Sequence, residues 1–348
     1  MARLFTTFED NFALTYPHNN SFTASGDALI LGRIMDDEVG LWKCSIEGKR
    51  AELCRFKREP QPEKLLWSDT AREADVTVTV ADNRIWLLDP GQPGSEPRLL
   101  AAPADYIHPL VSLNANGTEI VGAMKRAHGY AAFKLEVATG EMRILFEKPW
   151  WINHVHFSPF DPAWIGFCHE GRCFDVMDRI WGWHAREAPQ GRCIFDQRIM
   201  HPDQTTYAGH ERWSFQDRSV LTVTYGEGPG RPRGIFEAFT DGRSQRLISE
   251  GDRDFHLDES RDGRWIVVDT TGPHDAPGTG WENAGLISDI LAIDRSTGER
   301  RFIARSRMAR HPSHAHPVLS PDGRQIYFNE ASEDGSRNRV WCADNPFL

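Results

Sequence analysis

The stretch HPSHAHPVLSPDG places His311, His314 and His316 within six residues, just ahead of a Pro-Asp-Gly turn. Side chains on an extended strand alternate faces, so His314 and His316 point the same way, and a bend before them can bring His311 alongside. A fourth imidazole, His256 in RDFHLDESRDG, precedes its own Asp-Gly turn in the same manner. Four such rings could hold a divalent cation. The spacing fits equally a loop whose histidines are solvated or cap a strand. Imidazole binds Zn, Ni, Cu and Fe as well as Mn, so the pattern does not select a metal.

Other chemistry is missing from the chain. It has no GxSxG elbow, no GxxxxGK[ST] loop and no GxGxxG after a strand, which argues against the serine peptidases that carry a propeller beside a hydrolase domain. Its six cysteines are scattered without a CxxC pair, as expected of reduced thiols. A net charge of -10 argues against nucleic acid, whose binding needs a basic field. A small anionic substrate would need a local cluster of Arg, Lys or metal. The opening MARLFTTFEDNFALTY has acidic residues where a signal peptide needs an apolar core. No apolar run approaches the roughly 18 residues of a membrane span. The expectation is a cytoplasmic protein with no membrane contact.

The elements that must position the histidines come from a repeat. ASGDALILGR from Ala24, NANGTEIVGAM from Asn114, SRDGRWIVVDT from Ser260 and SPDGRQIYFNE from Ser320 share one outline, a polar turn ending in Gly followed by an alternating strand. VATGEMRIL and RSTGERRFI supply matching later turns, and weaker copies lie at 66–100, 155–173 and 211–247. Seven units over 348 residues give about 50 each, close to the period of propeller repeats. The chain therefore reads as all-β, a single seven-bladed β-propeller over residues 1–348, with tryptophans between blades. One short stretch, Trp181 to Arg186, looks helical. In a propeller the inner strand of each blade lines the central channel, so a residue at its start sits at one mouth.

Several blocks resemble the oligogalacturonate lyases, polysaccharide lyase family 22. They are NHVHFSPFDPAWIGFCHEGRCFDVMDRIW from Asn153 to Trp181, GHERW from Gly209, FHLDESRDG from Phe255 and SHAHPVLSPDG from Ser313. They occur in the family's order, and with YPHNNSFTASGDALIL from Tyr16 the resemblance covers most of the chain. It implies a seven-bladed propeller with a Mn ion at the channel mouth. It also implies β-elimination of short uronate oligosaccharides to unsaturated monouronates, a step in pectin degradation. His256, His314 and His316 stand at the family's histidine ligand positions. His311 stands where the family usually places glutamine, which makes this set all-imidazole and leaves Zn, Ni or Fe open beside Mn.

By the same resemblance Arg179 matches the arginine proposed as catalytic base. Arginine holds its proton tenaciously, so the alternative is that Arg179 clamps the substrate carboxylate and His210 or His169 is the base. Glu170 and Glu211 are candidate walls of the same mouth. Substrate-binding candidates are Lys125 and Arg126 in MKRAHGY, His18 with Asn19 at the rim, and Arg212 in GHERW. Two rival readings remain, the same elimination on another uronate such as a glucuronate-containing disaccharide, and a non-catalytic binding propeller. Homodimerisation is left open.

Overall fold

Each Asp-Gly turn reverses the chain between two strands. Gly263 and Gly323 have φ of 68° and 70°, a left-handed backbone that glycine adopts without steric cost. The strands that follow, Trp265–Thr270 and Gln325–Ala331, run antiparallel to those before them. The structure, a computed structural model, describes residues 2–58, 65–172, 175–197, 207–225 and 232–348. Its strands form seven four-stranded antiparallel sheets. Their first strands are Phe12–Ala13, Ser68–Thr70, Tyr106–Leu113, Ile152–Phe157, Tyr207–Trp213, Asp254–Glu259 and Val318–Leu319, which number blades one to seven. The first strands of blades two to four lie against one another in turn, as do those of blades five to seven. The seven-bladed β-propeller expected from the repeats is the fold.

Closure of the ring uses both ends of the described chain. Arg3–Leu4 pairs with Asn338–Asp344, Arg3 opposite Cys342, and forms the outer strand of blade seven. Strand alternation then buries one face of every sheet against the next. Leu221, Val223 and Ile235 of blade five pack on Leu257, Ile266 and Val268 of blade six. Phe12, Leu29 and Trp42 of blade one meet Tyr327, Val340 and Cys342 of blade seven. Each fully buried side chain of this size contributes roughly 1.5–3 kcal/mol.

Tryptophans do fill these seams. Trp164 and Trp213 stack with ring centroids 5.8 Å apart between blades four and five. A Cβ on Gly166 would stand 2.0 Å from Trp213 Nε1, so only glycine admits that ring. The stretch expected to be helical is a strand, Ile180–His184, paired on both sides. The reason is its period of two: Ile180 faces the seam between blades four and five, while Trp181 and Trp183 face that between three and four. Cys44, Cys54, Cys168 and Cys342 are free thiols, and Cys173 lies outside the described residues. Among the described residues no helix is long and apolar enough to cross a membrane.

Candidate metal centre and active site

The inner strands are bent where they meet the mouth. In blades three to six the ladder to the second strand breaks register between Ile107 and Val111, Asn153 and His156, Gly209 and Arg212, and Asp254 and Leu257. A bulge of this kind re-aims the side chains within it. His108, His154, His210 and His256 fall inside these four breaks. His154, His210 and, in blade seven, His316 take left-handed φ of 51°, 53° and 44°, which costs about 1 kcal/mol or more for each non-glycine residue. A sequence signal accompanies the geometry. His154, His210, His256 and His316 each stand four residues before a serine that opens a turn, namely Ser158, Ser214, Ser260 and Ser320. Only the pair His256 and His316 was recognised from the turns, and the same register finds His154.

His256, His314 and His316 bring ring nitrogens within 4.8 Å of one another. The exposed His311 joins them, its ring centroid 5.0 Å from His314 and 5.3 Å from His316. The residues suit a cation on a direct test. His316 is 0% exposed with neither ring nitrogen hydrogen-bonded, and His314 Nδ1 also lacks a partner. Buried polar atoms are ordinarily paired, so this group of bare lone pairs fits a metal. His256 is oriented differently. Its Nδ1 bonds Asp269 Oδ2 at 3.0 Å, while its backbone N–H and that of His316 donate to the same carboxylate at 2.6 and 3.2 Å. Nε2 is left to face the group, the usual carboxylate–histidine arrangement of metal ligands.

Burial, aided by the neighbouring imidazoles, holds His256 and His316 well below the ordinary imidazole pKa. Both rings are therefore neutral and able to donate lone pairs. Burial also pushes Asp269 up to about 7, opposed by its hydrogen bonds. Asp269 was not singled out from the sequence. An Asp269→Asn variant is expected to weaken metal affinity by about 10- to 100-fold, read by titration against a competing chelator. Unchanged affinity would remove Asp269 from this role.

Beside this seat, the His210 ring centroid lies 4.3 Å from that of His256, and His210 Nδ1 shares a 2.7 Å hydrogen bond with Tyr16 Oη. Burial and then Glu211 raise the Tyr16 pKa, so the phenol keeps its proton. Burial lowers that of His210. Arg179 lines the adjoining wall, since a Cβ on Gly209 would come within 3.7 Å of its Nε. Arg179 is 6% exposed. Its Nη2 donates to Glu170 Oε1 at 2.6 Å and its Nη1 to the Gly171 carbonyl at 2.8 Å. Burial alone would lower its pKa, but Cys168, Glu170 and Tyr225 outweigh it and raise the value. Arg179 is a cation.

Two further groups of metal-capable residues are accounted for by ion pairing. His154 Nδ1 lies 3.4 Å from Glu211 Oε1, with Cys168 close by. Glu211 raises the His154 pKa against the effect of burial, and with Arg179 and Glu170 the charges balance. His274, Asp275 and Asp289 surround Arg305.

A curated oligogalacturonide lyase of Pectobacterium atrosepticum is 23% identical over 205 residues, 56% of this chain and 50% of the relative. A solved oligogalacturonate lyase in complex with manganese superimposes with a TM-score of 0.80 at 19% identity, over 99% of this chain and 93% of the other. The chain is similar to the oligogalacturonate lyases. A second oligogalacturonate lyase structure, from Vibrio parahaemolyticus, gives a TM-score of 0.81 at 17% identity over the same shares. At these identities the structural likeness is one of fold. The chain spans about half the length of the curated relatives it matches. No family model matches it.

Not every residue named from the sequence lies at this oligogalacturonate lyase-like mouth. His169 stacks on Trp150 at 4.0 Å and its Nδ1 meets Asp178 at 2.9 Å, so its described partners anchor a turn. His18 is not at the rim. It is buried in a turn after Phe12–Ala13, stacked on His156 at 4.7 Å. Asn19 is likewise buried, donating to the Ser68 and Val111 carbonyls. Arg212 is held by the protein's own groups. It is buried, its Nε 2.9 Å from Asp258 and its Nη1 donating to the Pro17 carbonyl at 2.7 Å, which ties blades five and six to blade one. Lys125 and Arg126 are exposed at a strand end, and Arg126 pairs with Glu147 and Asp105. Tyr16 went unnoticed because no local motif announces it.

Proposed function

We propose that this chain is a divalent-cation-dependent lyase that cleaves short uronate oligosaccharides by β-elimination, oligogalacturonate first among them. The observation that carries the reading is the meeting of His256, His311, His314 and His316 beside a neutral imidazole, His210, whose wall is shared with a cationic guanidinium, Arg179. The similarity to oligogalacturonate lyases supports the sugar, and the manganese in one of their structures supports that metal.

A cation held by the four histidines would neutralise the C6 carboxylate and make the C5 proton more acidic. Arg179 offers a planar fork that fits a carboxylate. As a cation it cannot accept a proton, so its role here is to bind and orient. His210 is neutral and takes the C5 proton on Nε2, while Tyr16 steadies the ring at Nδ1. The electrons of the C5–H bond form the C4–C5 double bond. The C4–O bond breaks, and the departing oxygen takes up a proton. The product is a 4,5-unsaturated uronate.

Purified, manganese-loaded protein is expected to convert a di- or trigalacturonate to a product with the ultraviolet absorbance of a C4–C5 unsaturated uronate. A panel including a glucuronate-containing disaccharide assigns the sugar. If no member of the panel yields unsaturated product, the lyase reading fails and a binding propeller replaces it.

A further inference from the structure

The connection between the second and third strands of blade six is unlike the other hairpins described. It runs over residues 271–286, between Trp265–Thr270 and Ile287–Asp294, where blade three makes the same reversal between Arg126 and Gly129. Long loops in compact domains are usually functional or disordered. This one is built. Arg253, itself buried, donates through Nη1 to the Gly280 carbonyl at 2.9 Å and through Nη2 to that of Pro277 at 2.8 Å. Gly272 and Gly278 have positive φ of 138° and 104°, and a Cβ on either would strike the Arg253 guanidinium at 2.6 or 2.9 Å. Further along, His274 Nδ1 is 2.6 Å from Asp289, which Arg305 also holds.

Among the polar side chains this loop exposes, such as Asp275 and Glu282, stand two large apolar ones. Trp281 is 46% exposed and Leu286 51%. The Trp281 ring meets Phe255 edge-on at 5.2 Å, and Phe255 in turn contacts His256 at 4.2 Å and His210 at 4.5 Å. The exposed indole therefore stands one ring away from both the proposed ligands and the proposed base. Leu286 also borders a cleft of about 840 Å³ whose wall includes His311. An exposed tryptophan on a rigid support is costly in water unless something covers it, and the apolar face of a pyranose is a suitable cover.

We propose that the 271–286 loop is a sugar-binding platform, with Trp281 stacking on the pyranose ring next to the one whose carboxylate is held at the histidines. This rests on the uronate lyase reading and adds a second subsite to it. A stacking contact at a preformed site helps both ground and transition state, so it acts on binding more than on turnover.

The test uses the manganese-loaded full chain with a trigalacturonate. Trp281→Ala is expected to raise KM about tenfold with kcat within about twofold, to keep its metal content, and to leave inhibition by monomeric galacturonate unchanged. Trp281→Phe should recover most of the loss and Trp281→Leu little of it. Quenching of wild-type tryptophan fluorescence by the trisaccharide should shrink in Trp281→Ala. An unchanged KM in Trp281→Ala, or a loss of metal in that variant, overturns the platform alone. Absence of both turnover and trisaccharide binding in the wild type overturns the lyase reading, and the platform with it.

Discussion

Chelating the purified protein is expected to abolish formation of unsaturated uronate, and adding back manganese to restore it. The electrostatic help a cation gives to a developing enolate is large. Loss of turnover on the order of 10³-fold or more is therefore expected, about 4 kcal/mol of barrier. His256→Ala and His316→Ala should behave like the chelated protein because each removes a proposed ligand. His256 is fixed by Asp269, and His316 has no described hydrogen bond through its ring. Metal analysis alongside the ultraviolet assay checks both effects. Full turnover in metal-free protein would remove the histidines from the chemistry.

The second large effect is at Arg179. Arg179→Ala is expected to lower kcat by roughly 10²- to 10³-fold while metal stoichiometry stays at the wild-type level, since Arg179 contacts Glu170 and Gly171 rather than the histidine group. Arg179→Lys should return part of the activity, a compact cation being a poorer match for a carboxylate than the planar fork. The base is tested separately. His210→Asn is expected to lower kcat by about 10²- to 10⁴-fold. If His210→Asn keeps wild-type kcat while Arg179→Ala loses it, the proton acceptor is Arg179 and the clamp is something else.

The ring was legible because its cues are local and recur. Turns of the type that contains Gly263 and Gly323 require a residue tolerant of positive φ, and the strands around them alternate. The three clustered histidines were legible for the same reason, and His256 because its turn repeats theirs. The environment of each group was not. Tyr16 reaches His210 across 194 positions of chain, and Asp269 reaches His316 across 47. Such contacts follow from ring closure rather than from any short pattern. Arg212 shows the opposite limit: two places after His210 it reads as a substrate ligand, yet the register break between Gly209 and Arg212 separates the two, and Asp258 and the Pro17 carbonyl meet its guanidinium. Trp181 to Arg186 misled because so short a stretch shows no clear period; its tryptophans favour a strand, and pairing with Trp164–His169 makes it one.

The histidines set four places before a serine in blades four to seven occupy one structural address in successive copies of a module. The polar contacts made from this address, His154 with Glu211 and His256 with Asp269, are separate from the apolar packing of the seams, so an exchange there acts first on the mouth. A lineage built by duplicating such modules can alter what it grips by exchanging one letter per copy. Innovation at the mouth and conservation of the scaffold are thereby separated.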